Sequence, residues 1–416
     1  MLLDYKIKNY KTFNDEVEIS LKADMHIKKF MSNTITVDKI NALKTIGIYG
    51  PNNTGKTCLI ESISLLSRLM LGEPCDKIFN SFYDDYITNI EATYEINGNI
   101  YKYSLEYNSN DKKYLSERLD KLSFSESNNL VSEKIFLRNR ENIEMKSFGN
   151  KKFPINLIND NYPLFMVFDL RSTLIENVQK DYLEFARSIR FVNMELPISI
   201  SKTIELMQND EKARRFIVSF AKNCDLNIED FGYSNDVLSD VNINDKISIM
   251  SQQNVNNKEL LKIWSKHHGH IVPSIFFDSI GTRKLLALAG YIYEALTNGG
   301  ALLIDELDSS LHHVIIRAII ALFNNELNNK AQLIFSTHDA LTMDLKRLFR
   351  KDQIYLTDID KSGNNVLIHL SKEFTSRSEN GFRGNEDIVD YYLKGRFGGI
   401  PTPDLFDTMY EVYENE

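Results

Sequence analysis

The eight residues Gly50-Pro51-Asn52-Asn53-Thr54-Gly55-Lys56-Thr57 follow the pattern G-x-x-x-x-G-K-[ST] without a mismatch. The residue types suit one task. Gly50 and Gly55 let the backbone curl until successive N–H groups point at a single phosphate. A helix starting near Lys56 adds the positive end of its dipole. The Lys56 ammonium can then reach the β- and γ-phosphates, while the Thr57 hydroxyl ligates Mg²⁺. Two further strand ends carry chemistry. Residues 301–306, ALLIDE, are apolar up to Asp305 and Glu306. The first acid suits Mg²⁺ coordination and the second suits polarising an attacking water. Residues 333–338, LIFSTH, end in His338, which fits a sensor of the γ-phosphate. Each motif has a bland alternative: a glycine turn, a solvated acidic strand end, a structural histidine.

The flanking patterns favour the chemical reading. Residues 43–49 (LKTIGIY) form an apolar run, and Leu59, Ile60, Ile63, Leu66, Leu69 and Met70 recur at helical spacing. The local order is therefore strand, loop, helix. Leu3, Tyr5 and Ile7 alternate, as do Val17, Ile19 and Leu21, which predicts a hairpin over residues 1–22. Residues 88–150 read as β-rich, with Asn-Gly and Asn-Ser-Asn turns. Residues 170–268 carry longer helical patterns, including DYLEFARSIRF and KARRFIVSFAKN. From TRKLLALAGYIYEAL onward, helix and strand alternate, and QIYLTDID with NVLIHLS predicts a closing hairpin turning at Ser362-Gly363-Asn364. No repeat and no sustained heptad pattern is present.

Composition narrows the setting. The chain has 416 residues, enough for two or three domains, and 43% hydrophobic residues, enough for a buried core. Glycine is scarce at 18, so its clusters at the phosphate loop stand out. The three cysteines, Cys58, Cys75 and Cys224, form neither a disulfide framework nor a CxxC pair. No apolar run reaches membrane-spanning length and the N-terminus lacks a signal-peptide pattern, so the expectation is a cytoplasmic protein with no membrane partner. A net charge of −9 disfavours nonspecific coating of nucleic acid, although direct contact with nucleic acid stays open.

With these motifs in place, the chain resembles ABC-type ATPases of the RecF/SMC group. Within it the closest resemblance is to compact phage-defence ATPases: RloA-type abortive-infection proteins and the ATPase halves of OLD, Septu and PARIS systems. The resemblance rests on IKNYKTF (residues 7–13), GPNNTGKT (50–57), LLIDELDSSLHH (302–313) and RKDQIYLTDIDKSG…YYLKGRFGGIP (350–401). It implies an α/β fold: an ABC-ATPase head, a P-loop NTPase, with an antiparallel β lobe and a helical insertion. The expected division is 1–165 for the N-terminal part of the head with the β-rich lobe, 166–270 for a helical lid, and 271–416 for the C-terminal part of the head.

The resemblance also implies roles. ATP would be held by Gly50, Pro51, Asn52, Asn53, Thr54, Gly55, Lys56, Thr57 and Cys58, and Mg²⁺ by Thr57 and Asp305. Glu306 would be the catalytic base, His338 the switch histidine and Asp308 part of the D-loop. The signature loop falls on Ser279, Gly281 and Thr282, departing from the LSGGQ of transporters and resembling an S-x-G-T variant. A plain serine N-cap is the alternative there. Two copies would sandwich two ATPs head to tail and control a separate effector, such as a Toprim or HNH nuclease. A RecF-like repair ATPase that binds DNA directly is the competing reading. Asp358-Ile359-Asp360 could be a nuclease DxD but suits a turn better, and His267-His268-Gly269-His270 suits a hairpin turn better than a metal cluster. No glutamine is assigned to a Q-loop; Gln179 lies in a helical pattern.

Overall fold

The computed structural model describes the chain except residues 74, 76–84, 128, 147–151, 155–158, 168–174, 225, 235–261, 376–386, 402–404, 406–407 and 409–416. Two large sheets, two small ones and the helices packed between and behind them make up the described residues.

The first sheet has eight strands in the order β11-β10-β9-β8-β7-β6-β1-β2. They are β1 (Leu2–Lys8), β2 (Val17–Ser20), β6 (Ile87–Ile96), β7 (Asn99–Asn108), β8 (Lys113–Phe124), β9 (Leu130–Arg138), β10 (Asn142–Met145) and β11 (Lys152–Pro154). The expected N-terminal hairpin is β1–β2, with Tyr5 opposite Ile19. A small β3 (Thr34–Val37) and β4 (Ile40–Leu43) pair antiparallel nearby. The second sheet runs β12-β16-β17-β5-β18-β19. It comprises β5 (Thr45–Tyr49), β12 (Ile189–Asn193), β16 (Gly300–Asp305), β17 (Ala331–Ser336), β18 (Ile354–Ile359) and β19 (Asn365–His369). All of its pairings are parallel except β18–β19, the closing hairpin.

Helix α1 (Lys56–Met70) buries ten of its fifteen residues and leaves only Arg68 exposed. It shares one core with Tyr5, Tyr103 and Phe136 of the antiparallel sheet and with Ile46, Ile48, Ala301 and Leu303 of the parallel sheet. The residues between them on the parallel strands, Leu302, Ile304, Leu333 and Phe335, join a second core on the other face. There they meet α5 (Ile280–Asn298) and α6 (His313–Asn324). This alternation follows from the period of two along a strand. Burying each Leu or Ile of α1 contributes about 1.5–3 kcal/mol, so packing rather than helix propensity holds α1 in place.

Among the described residues between 170 and 268, helices form at α2 (Glu176–Arg187), α3 (Ser201–Asn209) and α4 (Glu211–Asn223). The pattern DYLEFARSIRF does not stay helical: α2 caps at Ser188, and β12 follows as a strand of the parallel sheet beside β16. Its Ile189 and Phe191 fit either period, and the sheet edge decides. Further on, β13 (Asp230–Tyr233), β14 (Ile263–His267) and β15 (His270–Pro273) make a third, antiparallel sheet. His268 and Gly269 form its β14–β15 turn, both with positive φ. Asp360 accepts backbone N–H bonds from Ser362 and Asn364, which makes it a turn residue.

Candidate functional site

Because β5, β16 and β17 are parallel, their carboxyl ends open on one edge of the sheet, and the three motifs meet there. The chain leaves β5 at Tyr49, passes Gly50 to Gly55 and enters α1 at Lys56. Gly50 has φ 147°, and a Cβ there would sit 2.3 Å from Thr357 Oγ1 and 2.5 Å from Thr357 O. Only glycine lets the loop pass over β18 so closely. Thr54 Oγ1 closes the same contact, 2.6 Å from Thr357 Oγ1. Pro51 is half-buried, Asn52 and Asn53 are exposed, and Asn53 takes a left-handed φ of 62°.

The Lys56 ammonium curls under the loop and donates to the carbonyls of Gly50 (3.0 Å) and Pro51 (2.8 Å). His338 Nδ1 stands 3.5 Å from it. Burial pulls the Lys56 proton affinity down, opposed by the carboxylates of Glu306, Asp305 and Asp308. Cys58 faces Thr12 instead, and burial raises its thiol above the usual range.

Asp305 is buried at the end of β16 and accepts from Ser336 Oγ (2.6 Å) at the end of β17. The Thr57 hydroxyl bonds the same carboxylate, and burial nonetheless pushes its pKa up. Ser336 Oγ in turn accepts from the Glu306 backbone N–H (2.8 Å). Glu306 is left-handed, φ 56°, uncommon for a residue with a Cβ. Its Oε1 accepts from His338 Nε2 at 3.1 Å. That bond is the main reason the Glu306 carboxyl sits below its usual range, with burial opposing. The His338 backbone N–H donates to Asp308 Oδ2 (3.2 Å), and Asp308 Oδ1 is buried without a partner.

Asn193 escaped the sequence reading. It ends β12 in register with Asp305, and its Nδ2 donates to Asp305 Oδ2 at 3.4 Å. No local motif marks it, since the pairing joins residues 112 apart in sequence. Gln179 lies in α2, where its Nε2 donates to Phe165 O.

Ser279 caps α5, accepting from Thr282 N (3.1 Å) and lying 2.9 Å from Thr282 Oγ1. The short Gly299-Gly300 link makes α5 antiparallel to β16, so Ser279 stands at the same sheet edge as the phosphate loop but on the opposite face. Its described hydrogen bonds reach Thr282 and none of the residues 50–57, 305, 306 or 338. The first turn of α5 instead packs on residues 309–310: a Cβ on Gly281 would meet Ser310 O at 2.3 Å, and Lys284 Nζ donates to Ser309 Oγ at 3.1 Å.

The donor set fits a hard divalent cation. Asp305 and Thr57 supply two oxygens that already meet and would hold Mg²⁺, a hard cation that prefers oxygen donors and would supply positive charge beside the phosphates. Among the described residues no group of three or more His, Cys, Asp and Glu is placed to hold a metal ion.

A family model described as "AAA domain, putative AbiEii toxin, Type IV TA system" matches residues 46–344, well over half of the chain. The chain belongs to this family. The match spans the phosphate loop, both acids, His338 and the α5 cap, so the phosphate-loop site lies within the AAA domain of this family. No curated relative matches the sequence. Among solved structures, similar chains include the SMC head domain from Thermotoga maritima, 14% identical with a TM-score of 0.41, covering 88% of this chain and 98% of that one. Another is the SmcHead bound to the C-winged helix domain of ScpA, 12% identical with a TM-score of 0.43, covering 89% and 98%. Among the described residues of this family member, no helix is long and apolar enough to cross a membrane.

Proposed function

We propose that this protein binds and hydrolyses Mg·ATP between two copies of itself and so acts as the sensor or regulator of an anti-phage, abortive-infection system. The observation that carries the catalytic half is the convergence of Lys56, Asp305, Glu306 and His338 at the ends of neighbouring parallel strands. Gly50 through Thr57 hold the triphosphate, with Asn52 and Asn53 exposed at the loop mouth and Cys58 contributing its backbone. Asp305 and Thr57 hold Mg²⁺, which supplies charge neutralisation at the β- and γ-oxygens. Glu306, ionised and oriented by His338, accepts a proton from the attacking water.

The placement of the two helices on opposite faces supports the sandwich. Lys56 heads the helix on one face of the sheet and Ser279 caps the helix on the other, so Ser279, Gly281 and Thr282 meet the nucleotide of a second copy. The defence role is supported by the family's description, which names a putative AbiEii toxin. The effector it controls is a separate protein, for which a nuclease such as a Toprim or HNH enzyme is the reading we favour, and the cytoplasm is its proposed place of action.

Phosphate release from Mg·ATP tests the enzyme. Light scattering of Glu306→Gln, with and without ATP, tests the sandwich: doubling of mass with ATP is expected, and a monomer at saturating ATP rejects it. Plating efficiency of phage on cells carrying the parent or Lys56→Ala tests the defence role, and equal plating rejects it.

A further inference from the structure

A side-chain network that the phosphate site does not use stands directly before the signature turn. Its centre is His267, the last residue of β14. His267 Nε2 lies 2.9 Å from Asp278 Oδ1 and 3.0 Å from Ser265 Oγ, and Nδ1 lies 2.9 Å from the Asn227 carbonyl. The Asp278 carboxylate accepts, so the His267 Nε2–H is the donor in that bond. Asp278 is the residue before the Ser279 cap, and its side chain is 2% exposed. Its other oxygen accepts from Ser274 Oγ, and its backbone N–H donates to Ser274 O at 2.8 Å. The Arg283 guanidinium on the first turn of α5 lies in the field of Asp278, and its Nε is buried without a partner. Among the described residues, the groups facing the Asp278 carboxylate are donors or a cation, and His267 reaches it from β14.

We infer that His267 is a positioning residue: by holding Asp278 it fixes the Ser279–Thr282 turn in the geometry that engages a nucleotide on a second copy, so the β13–β15 sheet governs closure. The inference rests on the sandwich proposed above. Its physical basis is that a buried carboxylate deprived of a hydrogen-bond donor moves toward other donors or water. Asp278 adjoins the cap, so that movement shifts the Ser279 hydroxyl, and a displacement near 1 Å in a positioning group costs about 10²-fold.

The test uses the full chain carrying Glu306→Gln and reads the Mg·ATP concentration that half-converts monomer to dimer by native mass, beside the affinity of dilute monomer for a fluorescent ATP analogue. His267→Ala and Asp278→Asn are each expected to raise the dimerising concentration at least about 10-fold. The double variant is expected to add little, because both break one contact. Monomer affinity should stay within about twofold, since the phosphate loop is untouched. His267→Gln, which keeps one donor toward Asp278, should recover part of the loss, and it replaces the alanine variant if that one fails to fold. Normal dimerisation of His267→Ala, additive effects in the double variant, or equal loss of monomer affinity overturns the inference. Ser279→Arg separates the two claims. If it dimerises with ATP, the sandwich falls and the positioning role with it; if it fails while His267→Ala and His267→Gln dimerise normally, only the positioning role falls.

Discussion

Glu306 combines a left-handed backbone with a histidine bond, and the two point its carboxylate at one place. The lowered carboxyl means that its charged form persists to lower pH than a free glutamate's, and the stabilisation it brings is present above the usual carboxylate range and lost as pH falls through the lowered value. In His338→Ala the acid limb of the pH–rate profile should therefore move upward, toward the ordinary glutamate range, with a lower plateau. An unmoved limb in steady-state ATP turnover would detach His338 from Glu306. Glu306→Gln should cut turnover about 10²–10⁴-fold while ATP is still bound, as filter binding and phosphate release together would report. Lys56, Thr57, Asp305, Glu306 and His338 were legible in the sequence because each lies within two residues of the end of an element whose period is clean. Asn193 and Thr357 were not: one owes its place to a parallel register, the other to a loop crossing a neighbouring strand, and neither leaves a local mark.

Two elements are set by close approach. Gly50→Ala would drive a methyl into Thr357 in a backbone region that side chains avoid, so the loop must lift. The expected result is loss of nucleotide binding by calorimetry and about 1–3 kcal/mol of stability in denaturant unfolding. Gly281→Ala acts elsewhere. It would wedge the first turn of α5 away from Ser310, so ATP-driven dimerisation should fail while monomer binding of nucleotide is retained. The same elements show what a sequence can hide. α1 and α5 announce themselves through helical spacing and caps. β12 does not, because the apolar residues of α2 and β12 run on through Ser188 in a pattern that serves both periods. β8 is half charged along its length, and its strand identity comes from its neighbours β7 and β9 on either side.

At the scale of the molecule, the antiparallel sheet is tied to the nucleotide helix by a buried polar cluster. Arg138 and Glu117 are fully buried and paired, Glu117 also accepts from Tyr103 OH at 2.6 Å, and Tyr114 OH donates to Leu69 O at 2.6 Å near the end of α1. Burial pushes the Glu117 carboxyl up while Arg138 holds it down. Removing the cation alone should be costly: Arg138→Ala is expected to destabilise the protein by about 3–5 kcal/mol in guanidinium unfolding. Replacing both partners by apolar residues of like volume should cost far less, and equal losses would show that packing, not charge, dominates there.

The contact of Gly281 with Ser310 also bears on kinetics. Ser310 lies two residues from Asp308, which receives the His338 backbone N–H, and His338 orients Glu306. In a closed pair each copy would feel one nucleotide through its signature turn and the other through its own base, over a path of a few bonded residues. The two sites would then not fire independently. Turnover should rise with ATP more steeply than a hyperbola, and mixing in Lys56→Ala subunits should depress the rate by more than their share of the population.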